Sequence, residues 1–181
     1  NDTMQIDYND GVAAQNSTRD LTGSAVAPAV LTISETDPYS FGNLATGATV
    51  NHAFTITNTG TFQASAIVET GLGAPYQYFG GAYPGTGGDC GATLNGGASC
   101  TIVVEYASTV PGTYNDQIDY TYNDGVNVQN VTRDVTATAV TPASLSISES
   151  DPYDYGTLAV GATDNHVFTI NNGGGFSATS V

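Results

Sequence analysis

Ser34 to Gly60 reads SETDPYSFGNLATGATVNHAFTITNTG, and Ser148 to Gly174 reads SESDPYDYGTLAVGATDNHVFTINNGG. The two stretches lie 114 residues apart. The offset holds without a gap between Met4–Ile67 and Ile118–Val181, where 37 of 64 positions are identical. A period of this length fits one small domain, so the chain is read as a window on a tandem array. Residues 1–27 are then the C-terminal strands of one repeat, 28–141 a complete repeat, and 142–181 the N-terminal strands of the next. Asn1 aligns with Asn115 and Val181 with Ile67, which leads us to expect a longer parent array.

Within one period the signals are those of short strands and tight turns. Leu31 and Ile33 alternate with polar neighbours, and Asp37-Pro38 interrupts the run before Tyr39-Ser40-Phe41, which predicts a split edge strand. His52–Asn58 should place Phe54 and Ile56 inward. Gln63–Thr70 should carry Ala64, Ala66 and Val68 on one face. Gly71–Gly97 reads as a long loop with one short strand, followed by strands at Ser99–Ala107, Tyr114–Tyr122 and Val126–Thr138. The Asn-Asp-Gly sequences at 9–11 and 123–125 predict type I′ hairpins, with Asp10 and Asp124 as turn-formers. The sum is an all-β chain of tandem seven-stranded immunoglobulin-like β-sandwich repeats. Val140-Thr141-Pro142-Ala143 predicts a short, semi-rigid link into the next unit.

The chain has no Lys and two Arg against 17 acids, for a formal charge of -15. Nucleic acid is excluded as a partner class, since its affinity rests on phosphate neutralisation by cations. Anionic membrane surfaces are disfavoured for the same reason, and no apolar run in this segment is long enough to insert. The absence of Lys also excludes Lys–Asn isopeptide crosslinks. Asn16-Ser17-Thr18 and Asn130-Val131-Thr132 match glycosylation sequons.

Cys90 and Cys100 are the two cysteines. In a Gly-rich, Lys-free all-β chain the pair reads as a disulfide formed in an oxidising compartment, a two-Cys metal site being the alternative. At these residues the chain resembles a known group. Tyr39-Ser40-Phe41-Gly42-Asn43-Leu44, Gly47, Asn58-Thr59-Gly60, then Cys90 and Cys100-Thr101-Ile102-Val103-Val104 are similar to bacterial choice-of-anchor D repeats. Those belong with the ASPM–SPD-2–Hydin-like immunoglobulin domains, related to major sperm protein. Glu105-Tyr106-Ala107-Ser108 departs from the pattern, which commonly has a Pro after this strand. The resemblance implies seven-stranded sandwiches arrayed in secreted or surface-anchored bacterial proteins, and it implies no catalytic residues.

Candidate chemistry is sparse. His52 and His166 occupy equivalent strand starts with no nucleophile or acid at catalytic spacing, so no enzyme is expected. Glu35, Asp37, Glu149 and Asp151, with Asp154, gather carboxylates near the start of each unit. They are the candidate calcium ligands, the competing reading being an acidic edge that repels its neighbours. Calcium is the one cofactor the residues suggest. Tyr76, Tyr78 and Tyr83, in or beside the Gly-rich loop, form a candidate sugar- or protein-binding platform if exposed, and core cover if not. The function expected is a structural and interaction protein: a stalk, adhesin or surface fibre at the cell surface whose partners are neighbouring repeats. The alternatives are a glycan- or protein-binding module and a head-to-tail filament subunit.

Overall fold

A computed structural model describes all residues 1–181, and its regular structure consists of strands alone. Two strands precede the central unit, β1 (Asp2–Asn9) and β2 (Ala14–Leu21), paired as an isolated antiparallel hairpin. The central unit contains β3 (Leu31–Ile33), β4 (Tyr39–Ala45), β5 (Thr49–Asn58), β6 (Ser65–Glu69), β7 (Tyr76–Tyr78), β8 (Ser99–Ala107), β9 (Gly112–Asn123) and β10 (Val128–Val140). Two short strands follow, β11 (Leu145–Ile147) and β12 (Ile170–Asn172).

The central unit is a sandwich of two four-stranded sheets, ordered β3-β5-β8-β7 and β4-β10-β9-β6. Eight segments stand where seven were expected because the split first strand feeds both sheets. Its first half, β3, runs antiparallel to β5, and after Asp37-Pro38 its second half, β4, runs parallel to β10. Period-2 alternation decides what lies between the sheets. Phe54 and Ile56 of β5, Ile102, Val104 and Tyr106 of β8, Ile118, Tyr120 and Tyr122 of β9, and Val135 and Ala137 of β10 form one buried cluster.

Three local expectations change. Ala66 takes φ +49° and the β6–β9 register shifts between Ser65 and Val68. This bulge turns Ile67 toward the core and leaves Val68 exposed, so Ala64, Ala66 and Val68 do not share a face. The hairpin turns are four-residue loops rather than type I′ turns. Gly125 alone has positive φ there, and the Asp124 carboxylate accepts the Val126 and Asn127 amides. β2 also ends at Leu21, short of the expected Ala27.

The chain enters the unit beside the β9–β10 turn, where the Ala29 amide donates to the Asp124 carbonyl. It leaves at Val140, whose carbonyl accepts the Thr46 amide at the other end of β10. The 13 residues of β10 separate these points by roughly 40 Å, at about 3.3 Å per residue. Entry and exit therefore sit at opposite poles.

Candidate functional site

The candidate residues fall into three groups. The first is a polar latch near the start of the unit. Glu35 sits in a turn at φ +77°, and its Oε1 lies 3.3 Å from Nε2 of His52. No hydrogen bond forms across that approach, and Nε2 is buried without a partner. Tyr39 stacks on the His52 ring at 4.2 Å. The same arrangement recurs with Glu149, His166 and Tyr153, again at 3.3 and 4.2 Å. Arg133 donates from Nη2 to the Ile33 carbonyl at 2.7 Å, and its Nη1 lies 3.8 Å from the Asp37 carboxylate. Asp37 also accepts the Asp134 amide.

These contacts decide what the candidate calcium ligands do. Glu35 faces a histidine, and Asp37 faces an arginine and a backbone amide. A hard cation needs six to eight oxygens, and here a guanidinium occupies the space beside Asp37. The four carboxylates are also not one site, since Glu149 and Asp151 belong to the following segment. No group of three or more metal-ligating side chains comes together in the structure. In the central unit Asp37 ties the β3–β4 turn to β10 through Arg133 and the Asp134 amide.

The second group is the tyrosines. Tyr76 and Tyr78 are buried, and Tyr83 is partly buried against the core. The Tyr76 hydroxyl donates to the Tyr114 carbonyl at 2.8 Å, and the Tyr78 hydroxyl shares a 3.0 Å bond with that of Tyr120. Burial pushes the Tyr76, Tyr78, Tyr83 and Tyr120 hydroxyls above their ordinary range. The three proposed platform residues are thus core side chains. The reason is non-local: β7 pairs with β8 and carries Tyr76 and Tyr78 inward opposite Tyr106 and Val104.

The third group is the Cys90–Cys100 disulfide, which is formed. It closes the Gly-rich loop onto β8, where the Asp89 and Cys90 amides also donate to the Thr101 carbonyl. No free thiol is left to ligate a metal.

Sequence reasoning missed Asn58, which it took as a strand end. Its side chain is fully buried and uses all four of its hydrogen-bonding positions. Oδ1 accepts the Val30 and Gly60 amides, each at 3.1 Å, while Nδ2 donates to the Phe62 and Leu94 carbonyls at 2.9 and 3.0 Å. Gly60 is obligatory beside it, because a Cβ there would lie 2.0 Å from the Pro28 carbonyl oxygen. The signal was available: Asn58 and Gly60 recur as Asn172 and Gly174, and Arg133 recurs as Arg19.

The sequence model for the family described as HYDIN/CFA65/VesB-like, Ig-like domain matches residues 31–138, which is 108 of the 181 positions. The chain belongs to this HYDIN/CFA65/VesB-like Ig-like family. The matched span runs from β3 almost to the end of β10 and so contains both sheets. No curated protein is matched by the sequence. Among solved structures, the chain is similar to the VesB protease of Vibrio cholerae at 17% identity and a TM-score of 0.45, over 61% of this chain and 32% of VesB. It is similar to PapD-like domain 7 of human CEP192 at 12% identity and TM-score 0.43, over 68% and 93% of the two chains. The secreted serine protease VesC of Vibrio cholerae gives 17% identity and TM-score 0.41, over 60% and 23%. The chain thus spans about a third of the length of VesB. Membership of the Ig-like family rests on the match over residues 31–138 alone.

Proposed function

We propose that this chain is part of a tandem array of immunoglobulin-like repeats serving as a structural and interaction segment, a spacer in an extended bacterial surface or extracellular protein of the choice-of-anchor D type. The observation that carries this reading is the placement of entry and exit at opposite poles of the central sandwich, roughly 40 Å apart along β10. Repeats joined in that way add length rather than bulk. The short Val140–Pro142 connection supports it, since so few residues leave successive units little freedom to fold back. The disulfide supports an oxidising, extracellular setting. The partners proposed are neighbouring repeats, and no catalytic role is assigned to any residue.

The test is small-angle scattering on four copies of residues 28–141 joined in register. The expected result is a rod whose maximum dimension grows by about 40 Å per repeat. A compact particle whose dimension barely grows with repeat number would refute the spacer reading.

A further inference from the structure

Two carbonyls mark where one repeat hands over to the next. Val140 closes β10, and its carbonyl accepts the Thr46 amide of the central sandwich at 2.8 Å. The next carbonyl along the chain, that of Thr141, is held by the following segment, where it accepts the Gly175 and Phe176 amides at 3.1 and 2.9 Å. The entry to the central unit is held in the same way. Ala27 is the counterpart of Thr141, and its carbonyl accepts the Phe62 amide at 3.0 Å. Only the two Thr141 dihedrals lie between the bound carbonyls at the exit, and Pro142 behind them confines Thr141 to extended backbone. Pro28 and Pro142 are seated alike. Each has its carbonyl against the glycine of the Asn-x-Gly loop, Gly60 or Gly174, so closely that a Cβ there would overlap it.

From Val26 to Ala29 and from Val140 to Ala143 the two connections differ at one position, and the loop position it touches differs with it. The entry has Ala27 in the connection and Thr61 in the loop, whereas the exit has Thr141 in the connection and Gly175 in the loop. At the entry the Thr61 hydroxyl donates to the Ala27 carbonyl at 3.1 Å. At the exit the Thr141 hydroxyl accepts the Gly175 amide at 2.7 Å. Either way, one hydroxyl bridges connection and loop. Two would crowd each other: a Cβ on Gly175 would lie 3.1 Å from Thr141 Oγ1 and 3.3 Å from Val140 Cβ, inside the ordinary contact distance.

We propose that successive repeats meet in a fixed joint rather than on a tether, its orientation held by one threonine that stands either in the connection or in the facing loop. This rests on the tandem-array reading and adds an orientation to it. Each unit is seated on the exit of the one before, so every junction turns the chain by the same amount and the array is a stiff rod with a regular twist. Thr61 and Thr141 are positioning residues. Their bonds are solvent-exposed and each holds modestly. They act on a connection that has almost no freedom left, so a modest bond is enough to select one orientation.

Backbone amide NMR of the 181-residue chain tests this. Residual dipolar couplings from the central unit and from residues 142–181 should fit one alignment tensor. Thr141→Ala should speed hydrogen exchange at the Phe176 amide by about threefold or more, because the loop then loses one of its ties to the connection. Thr141→Ala with Gly175→Thr, which rebuilds the Ala27–Thr61 arrangement, should return that rate to within about twofold of wild type. The melting temperature of the central unit monitors folding and should not move in either variant. Separate alignment tensors for the two parts overturn the fixed joint and leave the spacer reading standing, since sandwiches on flexible links still lengthen with repeat number. Exchange that Thr141→Ala leaves unchanged, or that the double variant fails to restore, also overturns the proposal, because the hydroxyl is then not what sets the joint.

Discussion

Asn58→Ala is the substitution expected to do most damage for its size. The side chain joins the ends of three segments: Val30 before β3, Gly60 and Phe62 after β5, and Leu94 within the disulfide loop. Two of the four bonds, to the Gly60 amide and the Leu94 carbonyl, are fully buried, so their loss leaves polar groups that water cannot reach. Each such group costs about 2 kcal/mol. The bonds to Val30 and Phe62 are part-buried, and water replaces much of what is lost there, leaving about 0.5 kcal/mol apiece. The sum is about 5 kcal/mol, a large share of the roughly 5–15 kcal/mol that holds a domain together. At about 4–8 °C per kcal/mol for a domain near this size, the midpoint should fall by at least about 20 °C. Urea unfolding followed by circular dichroism measures the loss directly. The repeat supplies the control. Asn172 makes the matching bonds to the Ser144 and Gly174 amides and the Phe176 carbonyl, but every one of them lies exposed. Asn172→Ala should therefore leave the main transition within about 0.5 kcal/mol of wild type. A loss below about 1 kcal/mol for Asn58→Ala, or equal losses for the two variants, would refute the claim that burial makes this asparagine a staple.

Two further outcomes follow from the same core. Replacing Cys90 and Cys100 together by Ser should lower stability by about 3 kcal/mol, given their sequence separation of 10, and the equilibrium melt of the double variant checks it. The buried tyrosines make the fold alkali-sensitive. Their folded-state values lie above the ordinary value of 10.0, so the unfolded chain releases these protons first. The stability these tyrosines contribute is complete below pH 10 and falls as pH climbs beyond it, with the ultraviolet titration of the 11 tyrosines splitting into an early exposed set and a late set released on unfolding. A single titration near pH 10 with no loss of structure would contradict the hydroxyl pairing of Tyr78 and Tyr120.

Much of the architecture was legible because β-structure writes its period and its turns locally. Phe54 and Ile56, the Asp37-Pro38 break, the Asp124 turn and the Cys90–Cys100 bridge all depend on neighbours or near neighbours. What was not legible depends on partners distant in sequence. Tyr76 and Tyr78 look like loop aromatics until β7 is known to pair with β8. The Arg133 contact with Ile33 spans 100 residues and nothing local announces it. The bulge at Ala66 reverses a face that strict alternation assigns to Val68. The repeat held part of this information in plain sight, since the residues that make the long-range closures are those kept unchanged between copies.

The two halves of the split first strand have a mechanical consequence. The chain enters the sandwich ahead of β3, passes into β4, and leaves from the end of β10, which lies parallel to β4 with Tyr39 opposite Val135 and Ala45 opposite Val140. Tension applied through the neighbouring segments pulls β4 and β10 in opposite directions along their shared axis. The ladder is then loaded in shear, all of its bonds at once, rather than peeled one by one from an end. Arg133, bound to Ile33 and Asp37 across the same boundary, resists the same sliding. A unit threaded in this way should yield late and abruptly under load.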